Sequence, residues 1–264
     1  MHRLLELENY FSSNAYQIGK VIYHYDEVSS TQEIAKEYVE KAVNGMCIIA
    51  DKQTKGKGRL GRTWHSPQGG LWLSIIIKEI EQPLYLNPIL AIACIKMIEQ
   101  LFQLKAKIYW PNDIYIKDKK VAGILTEGIH CERSIYIAGI GININIDKKY
   151  FIDNKLDEAT SLYLETGKKE NILNVFQDFL IKFNFLYELV QNGALTYIEE
   201  SYKEYNDLIS LWVKVSGQGE EFRGQVVDVD IKNGILVKLK NNIVKNFYPE
   251  NIESIRRIEF AESL

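Results

Sequence analysis

Residues 51 to 70, DKQTKGKGRLGRTWHSPQGG, set five cations (Lys52, Lys55, Lys57, Arg59 and Arg62) among closely spaced glycines, with no acid after Asp51. Such a stretch could hold an anion. Gly56, Gly58 and Gly61 spell the dinucleotide pattern G-x-G-x-x-G, and Gly56 to Thr63 comes within one residue of a P-loop, with Arg62 standing where lysine belongs. Both motifs work by aiming the N-terminus of a following helix at phosphate oxygens. The residues that follow, TWHSPQGG, cannot start a helix, so neither motif has its context. Two readings remain: a solvated basic loop, or a loop that folds over an anion with glycines admitting backbone N–H groups and arginine forks gripping oxygens. Glycines are costly in conformational entropy unless the folded loop needs them, and Trp64 offers an aromatic face beside the charges. Both favour anion binding.

A second dense stretch, YWPNDIYIKDKKVAGILTE, spans residues 109 to 127. Pro111-Asn112-Asp113 reads as a turn that leaves an amide and a carboxylate at a strand end, although these are also ordinary turn formers. Lys119 and Lys120 read as hairpin-tip charges, but Lys120 runs straight into the apolar VAGIL and so sits at the mouth of a buried region. In AGIGININI, residues 138 to 146, Asn143 and Asn145 share one face opposite the isoleucines, which is an odd choice in a strand unless the amides make hydrogen bonds.

These residues need a frame of strands and helices. SSTQEIAKEYVEKAV, residues 29 to 43, predicts an amphipathic helix opened by Ser/Thr caps. GMCIIADKQT and LWLSIIIK are buried strands on either side of the glycine stretch. NPILAIACIKMIEQLF predicts a buried helix with proline near its first turn. From Lys107 to Ile146 apolar runs alternate with turns at 111 to 113, 117 to 120 and 131 to 133, the pattern of an antiparallel meander. NILNVFQDFLIKFNFLYELVQNG predicts a long helix ended by Asn192-Gly193, and ALTYIEESYKEYN another. Beyond about Asp207, short β-branched strands with Gly and Asn turns predict a small barrel. The expected division is 1–207 and 208–264.

With 264 residues the chain can bury one full-sized core and a small appended unit. Its formal net charge of −3 argues against a surface wholly committed to nucleic acid. Cys47, Cys94 and Cys131 are odd in number, far apart and set among apolar residues, so they read as buried thiols in a reducing cytoplasm. No signal-peptide core forms at the start, and no run approaches the roughly 20 apolar residues of a membrane span. A soluble cytoplasmic protein is the expectation.

SST at 29 to 31, the run from Gln53 through GKGRLGR to Trp64, WPND at 110 to 113, KKVAGIL at 119 to 125 and GIGIN at 139 to 143 together resemble a biotin protein ligase. The motifs occur in that family's order over roughly residues 20 to 190. The resemblance implies an α+β fold: a central mixed, largely antiparallel sheet with flanking helices, like a class II aminoacyl-tRNA synthetase, plus a C-terminal Src-homology-3-like barrel. It points to the monofunctional class, since the residues before the first motif leave no room for the winged-helix DNA-binding domain of bifunctional members. The implied partners are therefore a biotin carboxyl carrier protein, biotin and ATP, with no DNA and no membrane, in a possible homodimer.

Such enzymes join biotin to ATP, release pyrophosphate, and pass the biotinyl group to one carrier lysine. By the resemblance Ser30, Thr31, Gln32, Gln53, Gly56, Lys57, Gly58, Arg59, Lys120 and Gly123 bind biotin. Arg59, Arg62, Trp64, Asn112, Lys120 and Asn143 bind ATP or the adenylate. Arg59, Lys120 and Asp113 carry the chemistry, with Mg²⁺ held through the ATP phosphates and no metal ligated directly by the protein. Lys57 stands where the family more usually has arginine, replacing a fork with a point charge. A lipoate ligase of the same fold and a non-catalytic phosphate- or nucleic-acid-binding module are the alternatives. The Ser-Thr-Gln segment and the barrel favour biotin.

Overall fold

The computed structural model describes residues 2–13, 16–130 and 134–259. The expected turn at 131 to 133 and the thiol of Cys131 lie outside them. In chain order the elements are α1 (His2–Ser13), β1 (Ile22–Val28), α2 (Thr31–Tyr38), β2 (Met46–Gln53), β3 (Gly70–Ile77), α3 (Leu86–Phe102), β4 (Lys107–Tyr109), β5 (Asp113–Ile116), β6 (Lys119–His130) and β7 (Ser134–Asn143). Then come α4 (Lys148–Asp153), α5 (Leu162–Thr166), α6 (Ile172–Gln191), α7 (Thr196–Tyr205), β8 (Trp212–Gly217), β9 (Glu220–Asp230), β10 (Gly234–Leu239), β11 (Val244–Phe247) and β12 (Ser254–Arg257).

A seven-stranded sheet runs in the order β1-β2-β3-β7-β6-β5-β4. Only the β1–β2 pairing is parallel; the others are antiparallel, so the sheet is mixed in the expected sense. β3 and β7 lie side by side at its centre, with Leu73 opposite Ile140 and Trp72 opposite Gly141. A continuous apolar run on β3, GLWLSIII, suits a strand covered on both faces. α3 and α6 pack together on one face, where Phe176, Phe179, Phe183 and Tyr187 meet Ile89, Ile92 and Ile95 in the main core. By length and composition Pro83–Phe102 is apolar enough to cross a membrane, but most of it is buried here as the central core helix. On the other face α2 packs on β2, β3 and β7 through Ala35, Ile48, Ile76 and Ile137.

The second sheet, β11-β10-β9-β8-β12, forms the small C-terminal barrel, and its Val213, Val215, Val226 and Ile235 join the main core. Ion pairs also tie it to the rest: Lys203–Asp228 at 2.9 Å, Lys232–Glu199 at 3.2 Å, and Arg257 with Asp207.

Three expectations change. The helix expected over 29 to 43 is helical only from Thr31 to Tyr38, because Val39 N–H bonds Lys36 O in a tightened turn and the chain must then reverse at Gly45, φ +78°, pressed against Gln17 O and Ile18. Ser30 precedes that helix, yet its hydroxyl makes no cap bond. The face expected to present Asn143 and Asn145 together is divided: β7 ends at Asn143, and Asn145 lies beyond it, exchanging hydrogen bonds with the backbone of Glu170. α1 and β1 had no sequence forecast. Leu7 and Phe11 of α1 are buried against the core, and β1 supplies the one parallel edge.

Candidate functional site

The site forms where α2 starts, where β2 hands over to β3, and where the central strands are glycine-rich. From β2 the chain leaves at Gln53 and folds back on itself: Gln53 N–H donates to Ser66 O at 3.0 Å, Trp64 N–H to Gly56 O at 2.9 Å and Gly58 N–H to Arg62 O at 2.7 Å. Leu60 and Gly61 take positive φ at the tip, and Gly56 lies so close to Trp64 O and Ser66 Oγ that a Cβ would sit 2.4 and 2.6 Å from them. These glycines let the two legs of the loop touch. The loop covers a cleft of about 150 Å³.

On the cleft floor Trp64 lies over two glycines of the sheet. A Cβ on Gly141 would fall 2.3 Å from Trp64 Nε1, and one on Gly123 2.9 Å from its Cζ3. The glycines in KKVAGIL and GIGIN therefore make the seat of an indole. Lys120 Nζ lies 4.9 Å from the Trp64 ring centroid and 2.7 Å from Asp113 Oδ2. Asp113 Oδ1 and Trp64 Nε1 are buried with no hydrogen-bond partner among the described residues.

A neutral polar wall faces these charges. Thr31 N–H donates to Gln53 Oε1 at 2.8 Å, Gln53 Nε2 donates to Ser66 Oγ at 2.7 Å, and Ser74 Oγ lies 2.7 Å from Gln32 Oε1 and 2.8 Å from Thr31 Oγ1. Ser30, Thr31, Gln32 and Ser74 are buried, and the Ser30 hydroxyl has no partner among the described residues. A buried unpaired hydroxyl costs about 1–3 kcal/mol, so Ser30 is set for something that arrives.

The loop's cations go to several places. Lys57 Nζ pairs with Glu33 Oε1 at 2.6 Å. Arg59 Nη1 donates to Asn112 Oδ1 at 3.2 Å, and its Nη2 donates to Pro249 O and, at 3.4 Å, to Ile252 O. Arg62 Nη2 donates to Glu253 O at 2.9 Å. Burial lowers the Arg59 pKa, a shift that Asp113 opposes and Arg62 adds to, but a guanidinium stays charged at any physiological pH. The barrel segment before β12 thus holds both loop arginines over the cleft.

Ser30, Thr31, Gln32, Gln53, Lys57, Gly58, Arg59, Arg62, Trp64, Asn112, Asp113, Lys120 and Gly123 all line this one cleft. Gly56 does not; it closes the neck of the loop. Asn143 is buried with its Nδ2 donating to Thr160 O at 3.0 Å, and lines a neighbouring cavity of about 510 Å³ shared with Trp64, His65, Lys120 and Tyr150. Sequence reasoning missed Ser74, Glu127, Tyr150 and the 249–253 segment. Only Ser74 left a signal, as the lone hydroxyl in an otherwise apolar strand.

Residues 25–145 match the model of the biotin/lipoate A/B protein ligase family. The bifunctional ligase/repressor BirA of Bacillus subtilis is 35% identical over 260 residues, 95% of this chain and 79% of that protein. Biotin–protein ligase 2 of Arabidopsis thaliana is 25% identical over 202 residues, covering 72% of this chain and 60% of its own length. The biotin protein ligase of Aquifex aeolicus, solved in complex with biotin and ATP, superposes with a TM-score of 0.79 at 30% identity, covering 90% of this chain and 100% of that one. The chain belongs to the biotin protein ligases of the biotin/lipoate A/B protein ligase family.

Proposed function

We propose that this chain activates biotin with ATP in the cleft under the glycine loop, and passes the biotinyl group from biotinyl-5′-AMP to a lysine of a biotin carboxyl carrier protein. The observation that carries the reading is the division of the cleft. One side is neutral, built of Ser30, Thr31, Gln32 and Gln53; the other is cationic, with Lys120 at its floor and Arg59 at its rim. A ureido ring both donates and accepts hydrogen bonds, so hydroxyls and amides suit it. A dithiolane ring does neither, which favours biotin over lipoate.

In the first step a biotin carboxylate oxygen bonds to the α-phosphorus of ATP as the α–β bridging bond breaks and pyrophosphate leaves. Two anions must meet, so cations have to offset their repulsion and the charge that builds on the phosphate. Lys120 and Arg59 supply them at the cleft, with Arg62 and Lys57 at its edge. Magnesium fits as a counter-ion on the nucleotide phosphates: Asp113, a carboxylate at the cleft, is already tied to Lys120. Trp64 and Asn143 border the cavity that would take the adenylate.

In the second step the carrier amine attacks the acyl carbon of the mixed anhydride, AMP leaves, and the amine loses a proton. No covalent enzyme intermediate is needed. Asp113 Oδ1, buried and without a partner among the described residues, can accept a hydrogen bond from the incoming amine and orient it. Keeping water from the anhydride falls to the loop and Trp64.

Labelled pyrophosphate exchange into ATP tests the reading. Exchange that requires biotin supports it; exchange that requires lipoate instead assigns the lipoate ligase, and none with either substrate assigns a binding module.

A further inference from the structure

Gln32 is buried in the cleft wall, and an amide can present either its oxygen or its nitrogen to a ligand. Its orientation is therefore a functional variable. Nε2 donates to Glu127 Oε2 at 2.9 Å, with longer contacts of 3.4 Å to Leu125 O and Ile137 O, while Oε1 faces Ser74 Oγ at 2.7 Å. Gly139 makes room for it, since a Cβ there would fall 2.8 Å from Oε1. Among the described residues the one short bond that Nε2 donates goes to Glu127, and a carboxylate oxygen accepts. Glu127 is in turn paired with Lys36 at 2.9 Å.

The consequence travels along the wall. With Oε1 turned to Ser74, the Ser74 hydroxyl spends its single proton on Gln32. The Thr31 proton then serves either the 2.8 Å contact with Ser74 Oγ or the 3.1 Å contact with Gln53 Oε1, an oxygen that Thr31 N–H also serves. Thr31 is left with lone pairs to accept N–H groups of whatever enters.

We propose that Glu127 is a positioning residue for biotin recognition: it fixes the amide of Gln32, and through Ser74 sets which wall groups donate and which accept. The idea rests on biotin being the ligand of this cleft. Glu127 does not stand out in the sequence as a binding residue, and it lines neither the cleft nor its neighbour.

Glu127→Gln is close to isosteric, but it replaces a group that only accepts with one that also donates. Losing one charge-assisted orienting bond is expected to raise KM for biotin roughly fivefold in pyrophosphate exchange, with kcat changed less than twofold. Lys36→Met leaves the acceptor in place and should move KM less than twofold. The decisive background is Gln32→Met, which has no amide to orient. There Glu127→Gln should add nothing, so the double variant matches Gln32→Met alone. A merely structural role, bracing α2 through Lys36, would persist in that background. An unchanged KM in the single variant, or an undiminished effect in the Gln32→Met background, overturns the proposal. A wild-type chain without biotin-dependent exchange would instead defeat the biotin reading, so the two failures are distinguishable. Thermal melts of each variant keep a folding defect from passing as a binding one.

Discussion

Gly141→Ala isolates the seat of Trp64. Gly141 is not among the glycines with positive φ, so alanine fits its backbone and the substitution acts through contact alone. The new methyl would lie 2.3 Å from Trp64 Nε1, 2.8 Å from Cε2 and 3.2 Å from Cδ1. Ordinary contact is at least about 3.5 Å, so the indole must retreat by about 1.2 Å or lift with its loop. Overpacking a site that cannot yield costs about 1–3 kcal/mol, while replacing glycine by alanine returns about 0.4–1 kcal/mol through the unfolded chain. Net destabilisation should therefore stay below about 2.5 kcal/mol. Function should suffer more, because the displaced ring also leaves Lys120 and opens the cleft. If the same 1–3 kcal/mol appears in ligand binding, biotin-dependent exchange falls roughly 5- to 150-fold. Acrylamide quenching reports the ring directly: Trp72 and Trp110 are buried, and the half-buried Trp212 of β8 contributes alike to both proteins, so the quenchable emission added over wild type comes from Trp64. Gly123→Ala, whose methyl would meet the ring at 2.9 Å, should give a milder version. A folded Gly141→Ala protein with wild-type quenching and exchange would refute the seat.

Lys120→Met should abolish adenylate formation and also destabilise the fold by about 1–2 kcal/mol, since it strands the Asp113 carboxylate; adding Asp113→Asn should restore the melting temperature but not the exchange, and recovery of both would contradict the assignment. Arg59→Ala should form the adenylate poorly or let it escape, and retention with a wild-type off-rate in rapid filtration would sink that role. Cys47 and Cys94 are fully buried and burial pushes both thiols up, so native protein at pH 8 should react with at most one equivalent of a thiol reagent, and prompt labelling of two or more would be inconsistent with the core. Hydrogen bonds from Lys57 and then Lys36, against the pull of burial, lower the Glu33 pKa, so its hold on the loop is present above the ordinary carboxylate range and lost as pH falls through the depressed folded value. The protection factors of residues 54 to 62, taken against the intrinsic exchange rate at each pH, should then hold steady from pH 7 down to that range in wild type, and already be lower at pH 7 in Glu33→Gln; identical protection in both would count against the tether.

The elements that position the site were legible where one physical signal dominated. β2, β3 and β6–β7 announced themselves as apolar runs between turns, and α3 and α6 as long stretches without a breaker. α1 was not legible, because its LLELENYF pattern is short and mixed, and only burial of Leu7 and Phe11 against the core makes it a helix worth having. The end of α2 is hidden for a similar reason: Val39 and Ala42 are buried as the helical spacing predicts, but in a turn that serves the reversal at Gly45.

For the site, residue type was readable and partner was not. The glycines of KKVAGIL and GIGIN could be seen, but that Gly123 and Gly141 share one indole depends on β6 pairing with β7 in a register where they face each other. The cations could be counted, but a charge run says nothing about where each charge is held. Lys57 shows this most clearly. As a sequence departure it looked like a weakened grip on a ligand, a point charge in place of a fork. In the fold its partner is Glu33, one residue past Gln32 and paired also to Lys36, which holds Glu127. A point charge is enough to meet the one carboxylate oxygen, Oε1, that Lys57 shares with Lys36. Lys57 thus ties the loop to the helix that presents Thr31 and Gln32.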